Sequence, residues 1–121
     1  MNLTSLIDTI EKRPEYHKAG MILCHNGVVR STLRDGREIS GMTISVDHEK
    51  LHQVIETHKK KPGIIEILVD IAENKNLTVG DDVMLLVVAG DIRENVIAVL
   101  NDTLNAIKTT VTKKTEVFVT F

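Results

Sequence analysis

The sequence predicts an α+β sandwich, in which helices pack against a mostly antiparallel sheet. Segments with the periodicity of helices alternate along the chain with segments typical of strands. The apolar residues are mainly Ile, Val and Leu, and the β-branched ones favour strands. A length of 121 residues fits one domain, spanning residues 1–121.

Two segments in the first half of the chain have the spacing of amphipathic helices. Apolar residues recur at helical intervals over residues 3–12, and Pro14 ends that helix. The second helix covers about residues 48–60. Asp47 is its predicted N-cap, since a carboxylate there accepts a bond from a free backbone N–H, and Pro62-Gly63 stops it.

The third and longest predicted helix covers about residues 92–109. It opens with the form of a capping box, in which Asp91 is the N-cap and Glu94 the third helical residue. The threonine-rich stretch 109–112 should end it, because β-branched residues are poor helix formers. Its apolar face is predicted to carry Val96, Ile97, Leu100, Leu104 and Ile107.

The predicted strands begin with a long one over residues 20–30, with a bend or bulge near Gly27. Asp35-Gly36 predicts a hairpin turn into a second strand, 38–46, whose core face carries alternate residues such as Met42 and Ile44. Three further strands are expected at 64–71, 83–89 and 116–121. The nearly all-apolar 83–89 should be central and covered on both faces.

Composition excludes several classes of function and indicates a compartment. The net charge of -2 lacks the basic footprint of a nucleic-acid binder, and no stretch spells a phosphate-binding loop. The chain opens without the features of a signal peptide, and its longest apolar run is too short for a bilayer. Cys24 is the only cysteine, so an internal disulfide is impossible and a reducing, cytoplasmic location is expected.

Two features of the sequence raise the question of metal binding or thiol chemistry. His48 to His52 matches the H-E-x-x-H pattern of zinc proteases, but no third ligand stands out and the first histidine sits beside the predicted N-cap. A solvated polar helix face is favoured, with no metal and no cofactor. Cys24 is predicted to be a buried structural thiol, the alternative being a catalytic thiol activated by a nearby cation.

Separated cations are the more informative residues. Arg30 ends a strand, Arg93 lies in the first turn of the long helix, and Lys108 lies at its end. Fifteen residues of helix separate the last two by roughly 22 Å, so one ligand could contact both only if neighbouring chains contribute. The alternative is an exposed, solvated cation at each position.

These positions form an ordered set of motifs. They comprise Gly27-Val28-Val29-Arg30, the Asp35-Gly36 loop, Leu77-Thr78-Val79-Gly80-Asp81, the spacing of Arg93 and Lys108, and Lys113-Lys114. In this order they resemble the large, catalytic subunit of molybdopterin synthase over about residues 20–116. The family usually has histidine where Ile92 stands and a second lysine where Thr115 stands; Lys114 fits with a one-residue deletion.

The resemblance implies a hammerhead-like fold and a sulfur-transfer reaction. In that family two sulfurs are added to cyclic pyranopterin monophosphate to make the dithiolene of molybdopterin. The donor is a thiocarboxylate at the Gly-Gly C-terminus of a small ubiquitin-like partner, whose tail enters a pocket built from both chains of a homodimer. No cofactor is implied.

The resemblance also implies roles for individual residues. Lys108 would be catalytic, with Lys114 as the second lysine, because a lysine among other cations loses its proton more easily and can act as acid, base or transient nucleophile. The substrate-binding residues would be Val28, Val29, Arg30, Ile92 and Arg93, whose cations suit a phosphate and a thiocarboxylate.

Two other functions stay open at the level of sequence. The altered closing motif favours a non-catalytic relative that binds a pterin, another anion or a ubiquitin-like partner, and acts as a regulator or scaffold. The third hypothesis is a small homodimeric domain whose cationic side chains are simply solvated at the surface.

Overall fold

The computed structural model describes residues 1–120 and contains helices α1 (Leu3–Glu11), α2 (His48–Lys59) and α3 (Arg93–Ala106). A 3-10 turn, Tyr16–Lys18, follows α1, and a π-helical turn, Ile107–Val111, follows α3. The strands are β1 (Met21–Val28), β2 (Ile39–Val46), β3 (Ile64–Ile71), β4 (Leu77–Thr78), β5 (Asp82–Gly90) and β6 (Thr112–Phe118). They form two antiparallel sheets, in the orders β1-β5-β3 and β4-β2-β6, which confirms the predicted α+β class.

Strand β5 is the centre of the first sheet, as its apolar sequence predicts. Its alternate side chains enter two separate cores. Leu86 and Val88 face α3, whereas Val87 and Ala89 face α1, and all four are fully buried. Helices therefore cover both faces of the sheet, which explains why the sequence of β5 is a nearly continuous apolar run.

The second sheet closes over one end of the first. Its buried side chains Ile39, Met42 and Ile44 pack with Val29, and Val83 is packed against the same cluster. A register shift between Ile39 and Gly41 explains how Ile39 and Met42, which are three residues apart, both face this core, against strict alternation. The strands that meet here, β1, β3 and β5, thus end against a β-sheet rather than against solvent.

The predicted pairing of β1 with β2 through a hairpin is wrong. The Asp35-Gly36 turn exists, with the Leu33 N–H donating to the Arg37 carbonyl at 2.9 Å, but it joins only an isolated bridge between Thr32 and Glu38. Beyond that bridge β1 pairs with β5, and both edges of β2 are taken by β4 and β6. Competition for strand edges, which local turn signals do not report, decides the topology.

The start of α3 also differs from the prediction, since no capping box forms. Ile92 is the N-cap, and the Asp91 carboxylate accepts from the Ile92 N–H at 2.6 Å and from Asn95 Nδ2 at 2.9 Å. Both bonds hold the pKa of Asp91 below its usual range. Glu94 bonds Arg93 Nε instead of the cap.

One strand boundary and part of one helix face were assigned incorrectly, and one short strand was not predicted. Ile97 is 50% exposed, and the buried face of α3 runs through Val99 and Thr103. The last strand begins at Thr112 rather than at residue 116, and Phe121 lies outside the described residues. The two-residue β4 was not predicted, because so short a strand has no periodicity to detect.

A buried carboxylate fastens two helical segments to the first sheet. Glu66 of β3 is 3% exposed, and its oxygens lie 2.7 Å from Arg13 Nη2 and 3.1 Å from Lys59 Nζ. The Ile67 N–H also donates to it at 2.9 Å. Arg13 follows α1 and Lys59 ends α2, so this one side chain ties both segments to β3.

We expect Glu66→Gln to lower the free energy of unfolding by roughly 1–3 kcal/mol, because it leaves two cations around a neutral amide. Glu56→Gln is the matched control, since Glu56 lies 3.9 Å from the same Lys59 but has a side chain that is 47% exposed, and it should cost less than about 0.5 kcal/mol. Urea unfolding followed by circular dichroism measures both. Equal effects of the two substitutions would contradict the assigned role of Glu66.

Candidate functional site

A cleft of about 480 Å³ lies where β1 ends and the second sheet begins. The first sheet contributes His25, Gly27 and Met84, the segment after β1 contributes Arg30 and Arg34, and Lys108 and Lys114 enter from the C-terminal part of the chain. An adjoining cleft of about 340 Å³ shares Lys108, Lys114 and Met84. The lining of the larger cleft thus combines four long cations with one histidine, and no carboxylate belongs to it among residues 1–120.

The π-helical turn after α3 positions Lys108. Ile107, fully buried, anchors the turn in the core beside Met84 and Val111. Threonine hydroxyls bond the loosened carbonyls: Thr110 Oγ1 donates to the Ala106 carbonyl at 2.6 Å. Such turns widen a helix by one residue and occur frequently at functional sites. This one turns the chain from α3 into β6 with Lys108 directed at the cleft.

Strand register brings Lys114 to the same place. Lys114 pairs with Ile44 of β2, and it lines the cleft on the same face of β6 as Thr112 and Glu116. Thr115, the residue at the family's usual lysine position, has the opposite orientation because neighbouring residues of a strand alternate. Of the two positions weighed from the sequence, the structure brings Lys114, and not residue 115, beside Lys108.

The end of β1 brings three of the predicted substrate-binding residues to different places. Arg30 lines the cleft and donates from Nε to the Thr32 carbonyl at 2.8 Å, and Val28 lines it with half of its surface exposed. Val29 is 1% exposed and packs in the core, and its backbone groups bond Asp81 and Gly80. The side chain of Val29 therefore does not line the cleft.

Ile92 and Arg93 lie at the opposite end of α3 from Lys108, roughly 22 Å away by helix length. Both are exposed, at 53% for Ile92 and 79% for the Arg93 side chain. The cleft of a single chain thus collects Arg30, Lys108 and Lys114, but not Arg93.

His25 is a cleft residue that sequence reasoning did not select. It lies on the α3 side of β1, together with Leu23 and Gly27, by strand alternation. Partial burial lowers the pKa of His25 below its usual range, and the positive charge of Lys108 lowers it further. The strand alternation placed His25 opposite Cys24, but nothing in the sequence showed that the far-off residue 108 would face it.

The exposed Cys24 corrects the prediction of a buried thiol. Its side chain lies on the α1 face with Ile22, beyond the residues that α1 covers. Partial burial raises the pKa of the Cys24 thiol, which disfavours the reactive thiolate.

The H-E-x-x-H stretch makes a contact of another kind. His48 Nε2 lies 2.7 Å and 2.9 Å from the two carboxylate oxygens of Glu73. Within residues 1–120, no three His, Cys, Asp or Glu side chains are grouped so that they could hold a metal ion. In the same range, every helix lacks either the length or the apolarity that a membrane crossing requires.

Comparison with known families shows to which protein family the chain belongs. The sequence model of the family described as MoaE protein matches residues 2–110. This chain belongs to the MoaE family. The resemblance to the large subunit of molybdopterin synthase is thereby confirmed, and it supports a role in molybdenum cofactor biosynthesis. A search of curated proteins found no significant match.

Solved structures with the same fold are distant in sequence. Molybdopterin synthase from Staphylococcus aureus is 20% identical with a TM-score of 0.72, covering 86% of this chain and 78% of its own. Molybdopterin cofactor biosynthesis protein E from Burkholderia multivorans is 19% identical with a TM-score of 0.76, covering 98% and 84%. A complex of subunits 1 and 2 of molybdopterin-converting factor from Helicobacter pylori contains a chain 14% identical with a TM-score of 0.69, covering 98% and 84%. These similarities show the MoaE fold.

We expect the His25 imidazole to titrate below its ordinary value of about 6.5. Lys108→Met should raise the midpoint, because it removes a positive charge, but should leave it depressed, because burial is the larger cause. Lys50→Met is the control, since Lys50 lines a different surface groove. NMR of the imidazole ring protons against pH measures the midpoint. An ordinary midpoint in the unmodified protein, or one insensitive to Lys108→Met, would contradict this account of the cleft.

Proposed function

We propose that this protein transfers sulfur to cyclic pyranopterin monophosphate, forming the dithiolene of molybdopterin, with the thiocarboxylated C-terminus of a small ubiquitin-like subunit as the donor. The observation that carries the proposal is the convergence of Arg30, Lys108 and Lys114 on one cleft without a carboxylate among the described lining residues. Membership of the MoaE family supports it.

The charge of the cleft suits both reactants. Cyclic pyranopterin monophosphate carries a phosphate, and the donor tail ends in an anionic thiocarboxylate. Arg30 is suited to hold an anion, since a guanidinium presents several donors in a planar fork. Because like charges in a cleft raise the local concentration of an oppositely charged ligand, the same cations also favour the approach of both reactants.

Lys108 is the proposed catalytic lysine, and Lys114 the second. Lys108 lies between the larger cleft and the adjoining one, so it could contact a donor tail in one and a substrate in the other. Its ammonium would stabilise negative charge on oxygen or sulfur as the acyl group changes bonds, and its amine could act as acid, base or transient nucleophile.

A small-subunit partner and a homodimer are both part of the proposal. The Helicobacter pylori relative is described as a protein–protein complex of subunits 1 and 2, which supports a small-subunit partner here. Arg93 is roughly 22 Å from Lys108 along α3. A second copy of the chain would therefore have to supply Ile92 and Arg93 to the cleft that holds Lys108.

A non-catalytic, binding role is the second candidate. Two observations favour it: Ile92 replaces the family's usual histidine, and Thr115 stands at the family's second lysine position. Such a protein would bind the thiocarboxylated partner in the same cationic cleft without turning over the substrate. Binding of the partner without product, while a standard large subunit gives product in parallel, would establish this role instead.

We expect Lys108→Ala to reduce turnover by roughly 10²–10⁴-fold, the range for loss of a group that transfers protons or stabilises charge. The assay mixes the protein with thiocarboxylated small subunit and cyclic pyranopterin monophosphate and measures dithiolene product. Lys50→Ala is the control, because Lys50 is exposed on α2 outside the cleft. Unchanged turnover of Lys108→Ala, with the fold intact by circular dichroism, would refute the role of Lys108.

Mixing two inactive variants tests whether each site combines two chains. In a mixed dimer of Arg93→Ala and Lys108→Ala chains, one site has lost both residues and the other is intact. Random exchange makes half of the dimers mixed, so about a quarter of the original activity should return. Absence of any recovery after verified subunit exchange would mean that Arg93 serves its own chain or none.

A further inference from the structure

We propose that His25 is the proton acceptor that activates water against the acyl–sulfur bond joining donor and substrate. This inference rests on the proposed sulfur transfer and adds a residue outside the set implied by the family resemblance. His25 lines the same cleft as Lys108 and Lys114, and it enters from β1, an edge strand of the first sheet.

The surroundings of His25 leave its ring free to meet a reactant. Three of the other histidines, His17, His48 and His58, use a ring nitrogen in a contact within the chain, at 3.1, 2.7 and 2.7 Å. Within residues 1–120, the ring nitrogens of His25 form no such bond. A Cβ atom at position 27 would lie 3.3 Å from His25 Nε2, so Gly27 provides the space in which the ring stands.

Charged groups approach His25 from each side of the cleft. Lys108 comes from the π-helical turn, Lys114 from β6, and Arg30 and Arg34 from the segment after β1. Glu116 lines the adjoining cleft, and β5 presents the apolar Val83 and Met84. An imidazole facing cations and apolar carbon stays neutral near pH 7, with a nitrogen lone pair ready to accept a proton.

Sulfur transfer includes one step that a neutral base in the cleft would accelerate. The thiocarboxylate sulfur bonds to a carbon of the substrate as a carbon–oxygen bond at that carbon breaks, with its electron pair on the departing oxygen. The sulfur is then still bonded to the acyl carbon of the donor, as a thioester. Water adds its oxygen to that acyl carbon and gives one proton to His25. The acyl–sulfur bond then breaks with its electron pair on sulfur, beside the cation of Lys108. The donor leaves as a carboxylic acid, which releases its proton to solvent, and no oxidant or reductant is consumed.

Lys108 and His25 have different proposed roles because one side chain is a cation and the other is a neutral base. A lysine that stays protonated stabilises the departing thiolate but cannot accept the proton of water, whereas a neutral imidazole can. The protein lacks a lysine at position 115, and His25 supplies a titratable group to the cleft from a different strand.

The test uses His25→Gln and His25→Ala with thiocarboxylated small subunit and cyclic pyranopterin monophosphate in single-turnover assays across pH 5–9, where histidine titrates. His52→Gln is the matched control, because His52 is an exposed histidine of α2 outside the cleft. We expect the unmodified rate to fall on the acid side as His25 is protonated. His25→Gln should lose roughly 10²–10⁴-fold and that acid limb, the thioester between donor and substrate should accumulate, and added imidazole should partly restore His25→Ala.

Each outcome separates this inference from the proposed function. Full activity of His25→Gln with an unchanged pH profile overturns the role of His25 and leaves sulfur transfer intact. A slow His25→Gln that keeps the acid limb and accumulates no thioester overturns it as well. If the unmodified protein binds the donor but forms neither thioester nor product, the proposed function fails, and the role of His25 fails with it.

Discussion

Strand β5 is buried on every side, and its burial sets the positions of the strands and helices around it. Its residues 84–89 are all buried, α1 and α3 cover its two faces, and β1 and β3 occupy its two edges. A shift of one residue in register would exchange the side chains that face α1 with those that face α3. The position of β1 is therefore fixed, and with it the placement of His25 and of the bulge between Gly27 and Val28.

The two ends of the β3–β5 pair differ in whether a carboxylate neutralises the nearby cations. Near the end where Ile64 pairs with Gly90, the buried carboxylate of Glu66 balances Arg13 and Lys59. At the other end, where Ile71 pairs with Met84, the cleft gathers cations with no carboxylate among its described lining residues. Uncompensated like charges destabilise a fold, and such violations of the usual rules are expected at functional sites. An anionic ligand would relieve the repulsion that the fold leaves in place.

The position of α3 determines which cations the cleft of one chain contains and which a second chain would have to supply. Its start is held at the Gly90 end of the sheet, where the Asp91 N–H donates to the Gly63 carbonyl, and its π-helical end reaches the cleft. Arg93 and Lys108 are thus separated by the length of a rigid helix. The cleft of one chain has the lysines and Arg30, and only a contact between chains could add Arg93.

Most helices and strands could be predicted from the sequence, because hydrophobic periodicity and local breakers act over a few residues. It predicted all three helices, the central β5, the bulge near Gly27 and the Asp47 cap, and it carried the motifs that led to the MoaE family. Contacts in the folded chain place β1 and β2 in different sheets, pair Asp91 with Asn95 instead of forming a capping box, and leave Cys24 exposed. They also turn Lys114 toward the cleft and bring His25 to meet Lys108. These outcomes depend on contacts between residues far apart in the chain, where strands and helices compete for the same edges and faces, and no local pattern records that competition.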